Sequence, residues 1–499
     1  MEKLVSELNG IIWSPALIWL CLGVGLLFSI KTRFAQVRHF KEMCRLLIQR
    51  NDSAEGVSSF QALTMALSGR VGAGNIAGVA AAIGFGGPGA IFWMWMMAFL
   101  GASTAYAEST LAQIYKVQDH GQYRGGPAYY LDRYFNKPWF GVVFAIAMLL
   151  ACAIFLPGVQ SNASTGSITK VFGDGEIIAT SFGDIGINRL IGLACILILL
   201  GMIIFGGVKR IAKFTEVIVP FMALGYIIIA LLVVFVNIDK LPAVISLIFN
   251  DAFTAQAGLG AAIGWGVKRG VYSNEAGQGT GPHHAAAAEV DHPAQQGLVQ
   301  AFSVYIDTLF VCSATAFMIL ITNSYNVVDG NGVFLVQNLA TDTNINGPQF
   351  TQIATSSVFG KFGPIFTSIA LFFFTFTTIL AYYYISETNV AYLLRNNRKH
   401  YDVGMFWVRV VVMFSVAYGA VNSSGYIWEI GDIGVGLTAW LNIVGIVIIL
   451  FSSQPTIKAM RDYEEQVKAG AKRFTFDPQK LGIKGATFWE ERLKKENRS

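Results

Sequence analysis

Two short stretches of this chain place charge and strong polar groups where the surrounding residues are apolar. The first is Ser68-Gly-Arg-Val-Gly-Ala-Gly-Asn-Ile-Ala-Gly78 and the second is Arg269-Gly-Val-Tyr-Ser-Asn-Glu-Ala-Gly277. Both read Arg-x4-Asn-x-Ala-Gly. The glycines at 69, 72, 74 and 78 each weaken a helix by about 1 kcal/mol relative to alanine. Arg70 and Asn75 are costly at membrane depth unless they are paired or face a cavity. Both stretches therefore read as breaks in membrane helices. Backbone unwound inside a membrane must find partners within the protein. Half-helix N-termini offer N–H groups and a positive dipole end to a carboxylate, while freed carbonyls suit Na⁺ or an ammonium group. Gly72, Ala73 and Gly74 let a small zwitterion lie against the backbone, which matches an amino acid better than a sugar or a lone anion. The competing reading is close helix packing of the GxxxG kind, which has no need of Arg70 and Asn75. Matching broken helices in two parts of a membrane chain point to a transporter's central site.

Other residues with chemistry to offer sit in apolar runs. Thr377 and Thr378, within Phe-Thr-Phe-Thr-Thr-Ile-Leu-Ala-Tyr-Tyr-Tyr (374–384), carry hard, uncharged oxygens of the kind Na⁺ prefers; hydroxyls bonded back onto their own helix are the alternative. Tyr382 to Tyr384 suit a pocket wall or an interfacial belt. Arg269 and Glu275 can pair with each other, or Arg269 with another acid: Glu108, Asp307, Glu387, Glu429 or Asp432. Asp307, in a smooth apolar helix, is a structural acid or a proton or cation relay. Arg70, Arg269, Glu275 and Asp307 thus form the expected intramembrane charge network. Gln160 and Asn162, after Pro157-Gly158, are placed to line a vestibule. His283, His284 and His292 fit no usual zinc spacing and read as solvated loop histidines. The five cysteines show no metal spacing either.

The elements that must position these groups are membrane helices. The chain has 499 residues, 54% hydrophobic and 13% charged, with a mean hydropathy of +0.51. A soluble domain carries roughly 25% charged residues, so an all-α polytopic membrane protein is expected. The net charge of +5 reflects where the charges lie and implies no nucleic-acid partner. An apolar run at 11–30 is long enough to span, lacks a cleavage site, and is followed by Lys31, Arg33, Arg38, Lys41, Arg45 and Arg50. Ten further spans follow, among them 60–83 (broken), 90–115, 139–160, 258–280 (broken), 297–321 and 364–393. Most of the 36 Lys and Arg residues fall in alternate loops and the tail from 452, which predicts an extracytoplasmic N-terminus and a cytoplasmic C-terminus. Eleven spans divide into one extra helix with a basic loop (1–58), two five-helix repeats (59–237 and 238–451) and a polar, soluble tail (452–499). Each repeat opens on a broken helix, and five being odd, the repeats run in opposite senses. This is the leucine-transporter-like logic of inverted repeats, with the first and sixth core helices discontinuous.

A longer motif carries a family resemblance. Gly86-Gly-Pro-Gly-Ala-Ile-Phe-Trp-Met-Trp-Met-Met-Ala-Phe-Leu-Gly101 resembles the signature of the alanine/glycine:cation symporter (sodium:alanine symporter) family. The resemblance extends to Gly74-Asn-Ile-Ala-Gly78, Arg124-Gly-Gly-Pro127 and Ser273-Asn-Glu-Ala-Gly277 and covers nearly the whole chain. It implies Na⁺-coupled, sometimes H⁺-coupled, uptake of alanine, glycine or a related amino acid by alternating access, in the cell membrane. It also implies a leucine-transporter-like core with one extra helix. Carried over, Gly72, Ala73, Gly74 and Asn75 resemble the substrate-binding unwound region. Residues 270–277, with Gly270, Ser273 and Asn274, resemble its counterpart, and Gln160 and Tyr382 complete the expected pocket. The carbonyls of Ser68 and Val71, with Thr377 and Thr378, resemble the sodium site of the wider fold. Where many members have Gly-Trp after the Thr-Thr-Ile-Leu run, with the Trp in the pocket wall, this chain has Ala381-Tyr382, which leaves the side-chain specificity open: alanine is the default substrate, with glutamine, serine and D-alanine as alternatives.

A channel would need a continuous polar pore, often ringed by charges from several subunits, rather than two broken helices in one chain. An enzyme would need a nucleophile and base, and no GxSxG or HExxH is present. The expectation is a symporter with a monomeric functional unit and no cofactor beyond the co-transported ion.

Overall fold

A computed structural model of the chain describes residues 2–48, 55–180, 183–254, 259–341, 347–471 and 473–496. Arg50 of the basic cluster and Gly258, where the second broken span was expected to begin, lie outside the described residues. The chain is predominantly helical. Among the described residues nine helices are long and apolar enough to cross a bilayer, or ten if the bent pair Ser59–Arg70 and Gly74–Gly86 forms one span. Eleven were expected. The difference is the second broken segment, whose first half, Leu259–Asn274, has only 16 residues and carries Lys268 and Arg269. A turn at 275–280 separates it from the short helix Gly281–Ala287.

The first break falls where the glycines are. Ser58 caps Ser59–Arg70 with a capping box closed by Gln61. That helix stops at Val71, and the chain restarts as a wide π-helical turn, Gly74–Gly78, bent by 52° from the first half. In the second segment the stop signal is Glu275, which sits in the left-handed region (φ 58°), where glycine is usual. A further π-helical turn, Ile306–Cys312, interrupts the span Pro293–Ile321. Such turns re-aim side chains and recur at functional sites; this one carries Asp307.

Two expectations need amendment. The chain is not purely helical: among the described residues three antiparallel hairpins occur, Val117–Asp119 with Gln122–Arg124, Ile177–Thr180 with Gly183–Gly186, and Asn326–Val328 with Phe334–Gln337. All join helices and none lies in a span. The tail, read as merely polar and soluble, packs onto the protein through Pro455–Lys468 and Thr487–Glu496. Trp489 is buried and its indole N–H donates to the Gln113 carbonyl at 2.8 Å. Glu464 accepts from Arg33 and Arg38, both at 2.7 Å, and Arg492 pairs with Glu289 at 2.7 Å. Alternating apolar and charged residues let these helices bury one face and leave the other in water.

Candidate functional site

The two breaks meet around one carboxylate. Asn75 donates its side-chain amide to Asp307 Oδ1 at 2.6 Å. From the second segment, the Ser273 hydroxyl lies 3.0 Å from both Asp307 oxygens. Thr308 completes the set, its hydroxyl donating to Oδ2 at 2.7 Å. All four residues are buried. Three donors satisfy a carboxylate that would otherwise be costly at this depth. Asn274 donates to the Thr308 hydroxyl at 3.3 Å and accepts from Ala276 N–H at 3.0 Å.

The freed backbone of the first break faces the same place. Gly72 N–H donates to Asn75 Oδ1 at 2.8 Å, and Ala73 N–H to Gln160 Oε1 at 2.9 Å. At Gly74 the segments touch: a Cβ there would lie 3.1 Å from the Tyr272 ring and 3.3 Å from Ser273 Cα. Tyr382 is buried in the same span as the threonines. Gly270 faces away, toward Met97 on the helix Ala90–Ile114, where a Cβ would meet Met97 Cβ at 3.0 Å.

A second cluster consists of oxygens alone. The Thr378 hydroxyl reaches the Ser68 carbonyl at 2.8 Å, the Val71 carbonyl at 3.4 Å and the Phe374 carbonyl at 2.9 Å. The helix break makes this possible, since carbonyls that end a helix have no partner of their own. Thr377 bonds back along its own helix, to the carbonyls of Phe373 and Phe374, each at 3.0 Å. The Phe374 carbonyl, shared by both hydroxyls, was missed; the Thr-minus-four spacing that a back-bonded threonine uses is the signal that marks it.

The charge network separates into parts. Arg269 makes a two-pronged pair with Asp432 (2.8 and 3.1 Å), and Lys268 joins at 2.7 Å. Trp265 and Trp428 flank the Arg269 guanidinium, at 5.1 and 4.9 Å. Of the acids weighed for Arg269, Asp432 is the partner; Glu387 pairs with Arg124 at 2.9 Å. Arg70 donates to Ser303 and to the Gln300 carbonyl (3.2 Å). Glu108 has another role: it accepts from Gly277 and Gly279 N–H, both at 3.2 Å, and from Asn442 at 2.7 Å. It thus closes the freed backbone of the second break, a task that residue type alone could not reveal.

The histidines are not solvated. His283, His284 and His292 are all fully buried. His283 pairs with Asn389 at 2.9 Å, and His292 with Asp462 of the tail at 3.1 Å. Burial pushes His292 below the ordinary imidazole value. Their polar neighbours suggested a loop, but His283 and His284 lie on the helix Gly281–Ala287, where Asn389 of the Thr377 helix meets His283, and His292 caps the helix from Pro293 and is covered by the tail. Among the described residues no group of three or more His, Cys, Asp or Glu is placed to hold a metal ion.

Comparison with known proteins agrees with this architecture. The chain is 53% identical over 495 residues to the putative sodium/proton-dependent alanine carrier protein YrbD of Bacillus subtilis, covering 98% of each chain. It is 45% identical to the sodium/proton-dependent alanine carrier protein of Bacillus sp. strain PS3, covering 91% of this chain and 98% of the relative. Identity to the probable sodium/glutamine symporter GlnT of Bacillus subtilis is 40%, covering 94% and 92%. The profile of the sodium:alanine symporter family matches residues 1–477. With helices of spanning length, two helix breaks and this match along nearly its whole length, the chain belongs to the sodium:alanine symporter family.

Proposed function

We propose that the chain is a secondary active symporter of the cell membrane that couples inward Na⁺ movement to uptake of alanine or a similar small amino acid. The observation that carries the reading is the Thr378 hydroxyl set against the Ser68 and Val71 carbonyls of a broken helix. Na⁺ placed among these oxygens would hold the break in one shape. The Gly72 and Ala73 N–H groups, one turn on, would then exchange Asn75 and Gln160 for the substrate carboxylate. Asp307 and Ser273 are placed to take the ammonium group. Substrate and ion each raise the other's affinity by the same factor, as linkage requires.

The finer architecture follows from the same reading. Counting Leu259–Asn274 with Gly281–Ala287 as the eleventh span restores the expected one-plus-ten arrangement. The two copies of Arg-x4-Asn-x-Ala-Gly support two inverted five-helix repeats. The basic loops and tail support a C-terminus in the cytoplasm and an N-terminus outside. A functional unit of one chain is sufficient, since both breaks belong to it.

The test is radiolabelled alanine uptake into proteoliposomes, with a Na⁺ gradient imposed in one arm and an H⁺ gradient in the other. Accumulation driven by Na⁺ is the expected result, and no accumulation under either gradient overturns the reading. Glutamine, serine and D-alanine belong in the same assay. The similarity to a probable sodium/glutamine symporter makes glutamine the first alternative.

A further inference from the structure

Glu275 is an acid of the core that neither the proposed sodium site nor the substrate site uses. Its side chain is buried, yet neither carboxyl oxygen has a hydrogen-bond partner among the described residues. The Thr280 hydroxyl interacts with it without reaching hydrogen-bond geometry. The residue also occupies a left-handed backbone position (φ 58°), where an ordinary side chain costs about 1 kcal/mol or more. Glycine would relieve that strain and end the helix equally well. The carboxyl is therefore carried at a position that favours its absence.

Its surroundings carry surplus negative charge. Glu275, Glu108 and Asp307 all interact with one cation, Arg70; the other groups facing Glu275 are the neutral Tyr272, Cys152 and Tyr382. Glu108 has three donors and Asp307 has three. Arg70 is committed through Nη1 to Ser303 and Gln300 and makes no ion pair within 4.0 Å among the described residues. Three carboxyl groups against one guanidinium leave two without a basic partner in a low-dielectric core, and of the three only Glu275 also lacks donors among the described residues. The carboxyl without donors is where a compensating cation belongs.

Position gives that cation a route. A Cβ at Gly69 would lie 3.2 and 3.3 Å from the two Glu275 oxygens and 3.4 Å from Ala381 Cβ. A Cβ at Gly72 would meet Thr378 instead. Ala381 and Thr378 lie about one turn, ~5 Å, apart on the helix Phe362–Leu393, so Glu275 and the Thr378 hydroxyl meet the first broken segment at neighbouring turns of that helix.

We propose that Glu275 is a second cation site, binding one monovalent cation, H⁺ or Na⁺, beside the Thr378 cluster. This rests on the symporter reading. The experiment uses the full chain, purified and reconstituted. Infrared difference spectra are recorded on changing pH and on adding Na⁺, for the wild type and Glu275→Gln. A protonated-carboxyl band lost in the variant assigns H⁺; a Na⁺-dependent carboxylate shift lost in the variant assigns Na⁺. Coupling stoichiometry is then read from the gradient that just balances alanine accumulation, and Glu275→Gln is expected to move one cation fewer per alanine. Unchanged infrared bands together with unchanged stoichiometry overturn the site. Should Glu275→Gln fail to fold, Gly69→Ala, which crowds the carboxyl, is expected to shift the same bands. Absence of gradient-driven uptake of alanine, glutamine, serine and D-alanine by the wild type would sink the symporter reading, and the infrared comparison would still decide whether Glu275 holds a cation.

Discussion

The Asn75 amide lies 2.6 Å from the Asp307 carboxylate, which makes one acid the joint between two helix breaks. Losing Asn75 takes one of three donors from a buried carboxylate, and losing Asp307 takes the carboxylate acceptor from the Asn75 amide. Asn75→Ala is expected to abolish alanine binding, and Asp307→Asn to weaken it strongly. In a double-mutant cycle read by alanine binding, the two changes should be non-additive, with a coupling of about 1–3 kcal/mol. Additive losses would show that the pair does not act as a unit.

Thr378→Ala removes one oxygen of the proposed cation site and should raise the Na⁺ concentration for half-maximal uptake about tenfold, the effect of about 1.4 kcal/mol; Thr378→Ser should stay close to wild type. Gly72→Ala approaches the same cluster from the other side, because its Cβ would lie 2.5 Å from Thr378 Oγ1 and 2.9 Å from Gln160 Oε1. It is expected to impair Na⁺ and alanine binding together. If Thr378→Ala weakens alanine binding while leaving the Na⁺ dependence untouched, the assignment of the oxygen cluster is wrong.

The Arg269–Asp432–Lys268 cluster makes a stability prediction with an internal order. Asp432→Asn leaves two buried cations without their acid, whereas Arg269→Met leaves Lys268 paired at 2.7 Å. Breaking a buried pair costs about 3–5 kcal/mol. Thermal unfolding in detergent should therefore fall further for Asp432→Asn than for Arg269→Met. The reverse order would point to the aromatic stack around Arg269 as the larger contribution.

The tail should loosen in acid. Burial alone would raise the Glu464 carboxyl, but hydrogen bonds from His39 and Arg38 outweigh it and hold the group below the ordinary carboxylate value. A depressed carboxylate contributes stability that is complete above its unfolded value, about 4.3, and is lost as pH falls through the folded value. Protease protection of the tail is expected to fall below about pH 4 as Glu464 is protonated, after an earlier decline that starts at about pH 6.5 from the buried His292 on Asp462. Glu464→Gln should show reduced protection at neutral pH and converge with the wild type in acid. Protection that is insensitive to acid and to this substitution would remove Glu464 from the docking account.

What could be read in advance follows the reach of each signal. The breaks were legible because Gly69, Gly72, Arg70 and Asn75 are each costly in an apolar helix, and such costs are local. The Ser68, Val71 and Thr378 cluster became legible through resemblance, since nothing near Thr378 announces carbonyls 310 and 307 positions away. Asp432 was one of several acids for Arg269, because side-chain type does not encode which helix packs alongside. Glu108 and the buried histidines were misread for one reason: their partners are freed backbone or side chains far along the chain, such as Asn389 and Asp462, and polarity alone looks the same whether water or protein satisfies it.

The docked tail bears on how the protein is made. Its helices grip the Gln113 carbonyl, the segment holding Glu289 and His292, and the arginines at 33 and 38. These belong to early and middle parts of the chain, and the tail is synthesised after every span. Its docking surface therefore exists only once those helices have been inserted and have found one another. Burial of Trp489 is thus a record of completed assembly. A chain whose spans are misplaced would leave that tryptophan, and the charged helix that carries it, exposed for proteolytic removal.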